Sequence, residues 1–136
     1  MEQRIRDALA IDERSSAEER TVDITTTGAR TGQPRRIEIW FHRVDGRYYL
    51  SSFPARPGWY ANLRANPRFT VHLKRGVTAD LAATAVPVSD AGQRRHVLQH
   101  IVDDLNQPHN PGRIVQPARL EAWVAGSPLT EIVFDE

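Results

Sequence analysis

Ile37, Ile39 and Phe41 alternate with Arg36, Glu38, Trp40 and His42, the period-two pattern of a strand with one buried face. Asp45-Gly46 follows, a strong hairpin signal because a type I′ turn needs positive φ at both central positions. Tyr48 to Ser52 then returns as the partner strand. Upstream, Thr21 to Thr27 is rich in β-branched residues and closed by glycine, which predicts a strand. Phe69 to Lys74 and Thr78 to Val88 predict two more around Arg75-Gly76, and Leu129 to Phe134 a last one.

Helical periodicity separates these strands. Met1 to Glu19 reads as a helix with a thin stripe of Ile5, Ala8, Leu9 and Ile11, an N-terminal arm over residues 1–20 that is loosely attached or lies across a subunit partner. Phe53 to Gly58 carries two prolines and a glycine and reads as a loop. Trp59 to Ala65 reads as a short helix, stopped at Asn66 because a residue before proline avoids the α region. Asp90 and Gln93 stand at N-cap and N3 spacing ahead of the stripe Val97, Leu98, Ile101, Val102 and Leu105, one face of a longer helix. A further short helix is expected around Ala118 to Val124. Six strands in antiparallel runs with two to four helices predict a small α+β barrel.

Composition narrows the function. With 136 residues the chain is long enough for one domain with a real core. Its formal net charge of +1 is too small to argue for nucleic acid. The absence of cysteine excludes disulfides and thiolate chemistry and makes a cytoplasmic protein the natural expectation. Met1 to Arg6 is mixed in charge and leads into no apolar run, so no signal peptide is expected, and no stretch has the length of a membrane span.

Charge is concentrated locally. Thr25 to Arg36 sets Gly28 and Gly32 around a hydroxyl-rich turn holding Arg30, Arg35 and Arg36 and no acid. Glycines let backbone N–H groups converge on an anion, and guanidinium forks grip phosphate or carboxylate. The turn is neither a Walker loop nor a dinucleotide fingerprint, and an ordinary hairpin with a solvated basic rim has the same composition. Arg35 and Arg36 point to opposite faces, so at most one shares a groove with the turn.

Trp59, Asn62, Leu63 and Asn66 share one helix face. Its two amides either bond neighbouring backbone in the Phe53–Gly58 loop or line a ligand groove. His96 and His100 stand at i, i+4, with His109 or a remote acid as the third ligand a metal would require. They read as solvated helix-edge residues, and no metal is expected. No nucleophile elbow and no readable Ser-His-Asp arrangement is present. That suits an enzyme whose cofactor carries the difficult step, or a protein with no catalytic role.

The basic turn and the segment Trp59-Tyr60-Ala61-Asn62-Leu63-Arg64-Ala65-Asn66-Pro67 together resemble the deazaflavin-dependent nitroreductase and quinone reductase family, an actinobacterial type that binds coenzyme F420 on a split β-barrel. Its T-T-x-G-x-x-[ST]-G-x-P-R turn is matched here by Gly28, Thr31, Gly32, Pro34 and Arg35. Its W-Y-x-N-L-x-A-N-P helix is matched by Trp59, Tyr60, Asn62, Leu63, Ala65, Asn66 and Pro67. The likeness runs from about Val22 to the C-terminus and thins after Val88.

The resemblance implies an FMN-binding split-barrel-like fold over residues 21–136. It also implies hydride transfer from reduced F420 to a quinone, enone or nitroaromatic. Gly28, Arg30, Thr31, Gly32, Gln33, Pro34, Arg35 and Arg36 are then the candidates for the coenzyme's phosphorylated tail, with Arg30 and Arg35 foremost. Arg56 and Arg64 would extend the basic rim. Ser51, Ser52, Phe53, Trp59, Tyr60, Asn62, Leu63 and Asn66 would border the ring, with Ser52 as the candidate to orient the acceptor or relay a proton.

Two departures stand out. The family's serine, lysine and glycine pair is replaced by Ser51-Ser52-Phe53-Pro54-Ala55, which leaves the ring-side contacts open. The tyrosines of nitroimidazole-reducing members are absent from Gln107–Trp123, where this chain offers His109, Arg113 and Trp123. A different acceptor is therefore expected. A non-catalytic split-barrel binding or carrier protein and an FMN-dependent relative are the alternative readings, as monomer or homodimer.

Overall fold

The computed structural model of the chain describes residues 1–108 and 119–135. Six antiparallel strands, β1 (Thr21–Thr27), β2 (Pro34–Val44), β3 (Arg47–Ser51), β4 (Arg68–Leu73), β5 (Ala79–Pro87) and β6 (Leu129–Phe134), close in the order β1-β2-β3-β6-β5-β4. The expected strands are therefore all present, β1 and β6 with the anticipated bounds. At the hairpin, Asp45 and Gly46 take φ of 52° and 76°, as the I′ turn requires.

β2 divides its partners along its length. Residues 34–40 pair with β1, from Thr27↔Pro34 to Thr21↔Trp40, whereas only Phe41 to Val44 pair with β3. The first seven residues of β2 thus have a strand on one side alone. This staggered edge is the split in the barrel, and it leaves Ile37 at 37% exposure on a face that is buried further along at Phe41.

Both walls of the barrel carry apolar side chains. Val22, Ile24, Phe41, Leu50, Val71, Ala83 and Ile132 fill the interior. On the outside, Val44, Tyr49 and Leu129 meet Val97, Leu98, Ile101 and Val102 of α4 (Ala91–Leu105) and Trp123 of α5 (Leu120–Gly126). Alternation along β2 and β3 produces both cores, since neighbours point to opposite faces. α4 starts as anticipated, with the Asp90 carboxylate accepting from the Gln93 N–H at 2.9 Å.

The N-terminal segment differs from the single helix expected. It forms α1 (Gln3–Leu9) and α2 (Ala17–Arg20), giving with α3 (Gly58–Ala65) five helices among the described residues. Ser16 and Glu19 make a reciprocal capping box that restarts the helix. Ile5, Leu9 and Ile11 are buried in the barrel core. The thin stripe is enough because it closes one end of the barrel near Val22, Phe41 and Leu73.

Arg20, at the end of α2, is 2% exposed. Its guanidinium pairs with Asp104 on α4, donates to the carbonyls of Ser15 (3.1 Å) and Asp12 (3.0 Å), and lies 5.6 Å from the centre of the Trp40 ring. Removing one member of a buried pair typically costs 3–5 kcal/mol. Asp104 also accepts from Gln107. Arg20→Ala is therefore expected to destabilise the fold by about 3 kcal/mol, at the lower end of that range, read as a lowered midpoint in urea or thermal unfolding.

Candidate active site

The basic turn between β1 and β2 is closed by its own hydrogen bonds. Gly28 N–H donates to the Gln33 carbonyl (2.8 Å) and Gly32 N–H to the Gly28 carbonyl (2.9 Å). Gln33 N–H donates to Thr31 Oγ1 (3.2 Å), and Ala29 N–H to Asn62 Oδ1 (2.9 Å). A Cβ on Gly28 would stand 2.5 Å from Thr31 Oγ1 and 3.2 Å from the Gln33 carbonyl, so a side chain there would displace the Thr31 hydroxyl that accepts from Gln33. Gly32 has φ of 69°, a region side chains disfavour.

These bonds correct one expectation. Four of the turn's N–H groups are already bonded within the protein, so they do not converge on an anion. The available charge lies in the side chains. Arg30 and Arg35 are exposed and have no ion pair among the described residues, whereas Arg36 pairs with Asp23 at 2.9 Å. Lys74, and after it Arg36, holds the Asp23 carboxyl below its ordinary range. Of the two guanidiniums expected to extend the rim, Arg56 is exposed and Arg64 lies 5.9 Å over the Tyr60 ring.

The shared face of α3 is used inward. Trp59 and Leu63 are buried in the barrel core, and Tyr60 packs edge-on against Trp59 at 5.8 Å. Asn62 Nδ2 donates to Thr26 Oγ1 at 3.1 Å and Asn66 Nδ2 to the Thr27 carbonyl at 3.4 Å. The amides therefore fasten the end of β1 and the turn, and neither bonds the Phe53–Gly58 loop. Leu63 has no free surface for a ligand, because its side chain plugs the barrel.

An open groove lies elsewhere, on the outer wall where α4 and α5 meet β2 and β3. It has a volume of about 210 Å³ and is lined by Trp40, His42, Ser51, Ser52, Phe53, Leu105 and Trp123. Phe53, at 61% exposure, forms the rim with its ring 5.6 Å from that of Trp123. Ser51 is committed, donating to the Pro128 carbonyl at 2.7 Å. Ser52 makes only a long 3.4 Å contact to the Phe53 carbonyl.

His42 separates this groove from a second cavity of about 200 Å³ that includes Arg20, Asp12, Glu13, His100 and Asp104. The imidazole is 8% exposed and has no hydrogen-bond partner among the described residues. Burial, reinforced by the nearby Arg20 charge, lowers its pKa to about 4. It is neutral at physiological pH.

Sequence reasoning passed over Trp40, His42 and Leu105. The available signal was an indole on the polar face of an alternating strand, which needs a cover that only tertiary packing supplies. His96 and His100 acquire a neighbour, since Asp45 Oδ2 lies 2.6 Å from His96 Nε2 and all three ligand atoms fall within 4.8 Å of one another. All three residues are exposed. His109 and Arg113 lie outside the described residues. Among the described residues no helix is long and apolar enough to cross a membrane.

The sequence model for F420H(2)-dependent quinone reductases matches residues 10–109, which span α2, the turn, α3 and α4. The chain belongs to this family. The F420H(2)-dependent quinone reductase Rv1261c of Mycobacterium tuberculosis is 47% identical over 62 residues, covering 40% of this chain. The match spans only 41% of that curated relative's length. Among solved structures, the conserved hypothetical protein Rv2991 of M. tuberculosis superposes with a TM-score of 0.66 at 19% identity, covering 100% of this chain and 82% of its own. An F420-H2 dependent reductase, FDR-A, gives 0.54 at 21%, with 83% and 93% covered. These two likenesses establish the split-barrel fold.

The buried imidazole has a measurable consequence. As pH falls below about 6.5, His42 binds a proton in the unfolded chain before it does so in the fold, where its pKa is about 4. Stability is then lost between those values, by up to about 3 kcal/mol. His42→Phe is expected to flatten this part of the stability–pH curve, measured by urea unfolding at pH 7, 6, 5 and 4.

Proposed function

We propose that this protein is an oxidoreductase that uses coenzyme F420 to reduce a planar, electron-poor acceptor such as a quinone. The observation that carries the reading is the pairing of an aromatic groove with unpaired arginines at the far end of one strand. Trp40, Phe53 and Trp123 wall the groove. Arg35 stands five residues before Trp40 on β2, about 16 Å along an extended strand and on its opposite face, so a ligand that touches both crosses the free edge of residues 34–40. Family membership supports the choice of coenzyme.

The residues fit that coenzyme. A flat heterocycle suits the aromatic walls and the free edge of residues 34–40, and a phosphorylated, acidic tail suits Arg30 and Arg35. When bound, the reduced deazaflavin supplies a hydride. The chain's own part is positioning. Gly28 to Gln33 and Asn62 shape the platform that presents the arginines, α4 and α5 exclude water from the outer wall, and Ser52 offers a hydroxyl near the rim. Ser51, already bonded to Pro128, holds the end of β3 in place.

Titrating the purified protein with oxidised F420, followed by the coenzyme's fluorescence and run beside FMN, tests the reading. Saturable binding of F420 in preference to FMN is expected. Arg30→Ala with Arg35→Ala should weaken that affinity by about tenfold to hundredfold for each guanidinium removed, with an unchanged circular dichroism spectrum. Equal affinity in the double variant would remove the arginines from the site. Preference for FMN would retain the groove and change the cofactor, and binding of neither would favour a non-catalytic barrel.

A further inference from the structure

The tip of the β2–β3 hairpin and the exposed face of α4 bring together three side chains that coenzyme binding does not use. Asp45 occupies the turn with φ of 52°, and its Oδ2 lies 2.6 Å from His96 Nε2. His100 follows one helical turn later, its ring centroid 4.9 Å from that of His96 at an interplanar angle of 72°. The ligand atoms of all three residues fall within 4.8 Å of one another. One hydrogen bond joins Asp45 to His96, and it does not involve His100. A histidine pair at i, i+4 needs a third ligand to hold a metal, and the hairpin turn supplies the remote acid.

We propose that Asp45, His96 and His100 bind one zinc ion, with water completing its coordination shell. Two imidazole nitrogens and one carboxylate oxygen suit zinc and its transition-metal neighbours, whereas magnesium and calcium call for oxygen donors. Ligand atoms sit about 2.0–2.2 Å from zinc, so in a tetrahedral site they stand roughly 3.3 Å apart. The present spread of up to 4.8 Å closes to that by side-chain rotation, which exposed rings undergo without disturbing the core. The backbone beneath is fixed, because Val97, Leu98, Ile101 and Val102 bury the other face of α4. Ligation through His96 Nε2 replaces the hydrogen bond to Asp45. Zinc takes the place of the Nε2 proton, and the neutral ring carries its one proton on Nδ1. The ion then clamps the hairpin tip to α4, joining residues 51 positions apart in the chain.

Isothermal titration calorimetry with zinc chloride tests the site, on protein freed of metal with EDTA and carrying no histidine tag, since a tag would itself bind zinc. Wild-type protein is expected to take up one equivalent with micromolar affinity, and magnesium chloride to give no saturable heat. His100→Ala and Asp45→Asn should each weaken zinc binding by at least about tenfold, because even changes around the ligands of a metal cost about 10–100-fold. Asparagine tolerates the positive φ at position 45, so the turn survives that change, and the circular dichroism of both variants should match wild type. Zinc should also raise the thermal unfolding midpoint of the wild type and not of the variants, since a ligand of the native state alone stabilises it.

Absence of saturable zinc binding by the wild type, or binding unchanged in His100→Ala, would overturn the proposal. Binding lost in His100→Ala but kept in Asp45→Asn would reduce the site to a helical histidine pair and remove the three-ligand centre. Neither result bears on coenzyme binding, because the cluster shares no residue with the aromatic groove or the basic turn.

Discussion

A nearly anhydrous guanidinium, that of Arg20, holds the parts of this molecule together. Taking such a charge out of water costs several kcal/mol unless its donors and its field are answered. Here the answer comes from Asp104 on α4, from two carbonyls of the segment between α1 and α2, and from the face of Trp40. Each partner belongs to a different part of the fold. Satisfying one charge therefore fixes the N-terminal segment to the barrel, sets the end of α4 and positions the indole that walls the groove. Burial is the main reason that His42 resists protonation, and the same Arg20 charge adds to it, so the ion pair also bears on a residue that lines the groove.

The stagger of β2 is the second constraint. Because β1 takes residues 34–40 and β3 only 41–44, one strand links a basic, open end to an aromatic, covered one. The turn that starts β2 satisfies its own N–H groups and borrows Asn62 to stay closed. Its glycines therefore serve shape, and the unpaired side chains of Arg30 and Arg35 carry the charge. A scaffold that tied those arginines to internal acids, as Arg36 is tied to Asp23, would offer an anion much less.

Fold and site were unequally legible. Strand alternation, the Asp45-Gly46 turn, the Asp90 cap and the α4 stripe are local signals, and each marked its element within a few residues. The motif of α3 was also visible, but its meaning was not. An amide on a helix face can bond a ligand, a loop or a strand end, and only the packing of α3 onto β1 shows that Asn62 and Asn66 bond Thr26, Ala29 and Thr27. Burial of Ile5, Leu9 and Ile11 was hidden for a related reason. A thin stripe suffices at the end of a barrel, where curvature presents little surface to cover.

By itself the sequence determined the order and type of the elements, the position of the glycine turn and the local excess of positive charge. These depend on backbone preference and on side-chain period, both of which are properties of neighbouring residues. The tertiary structure decided which of those charges remained free, which helix face turned inward, and that Trp40, His42, Ser52 and Trp123 share one groove. Those outcomes depend on contacts between segments as far apart as β2 and α5, and on the burial that such contacts impose.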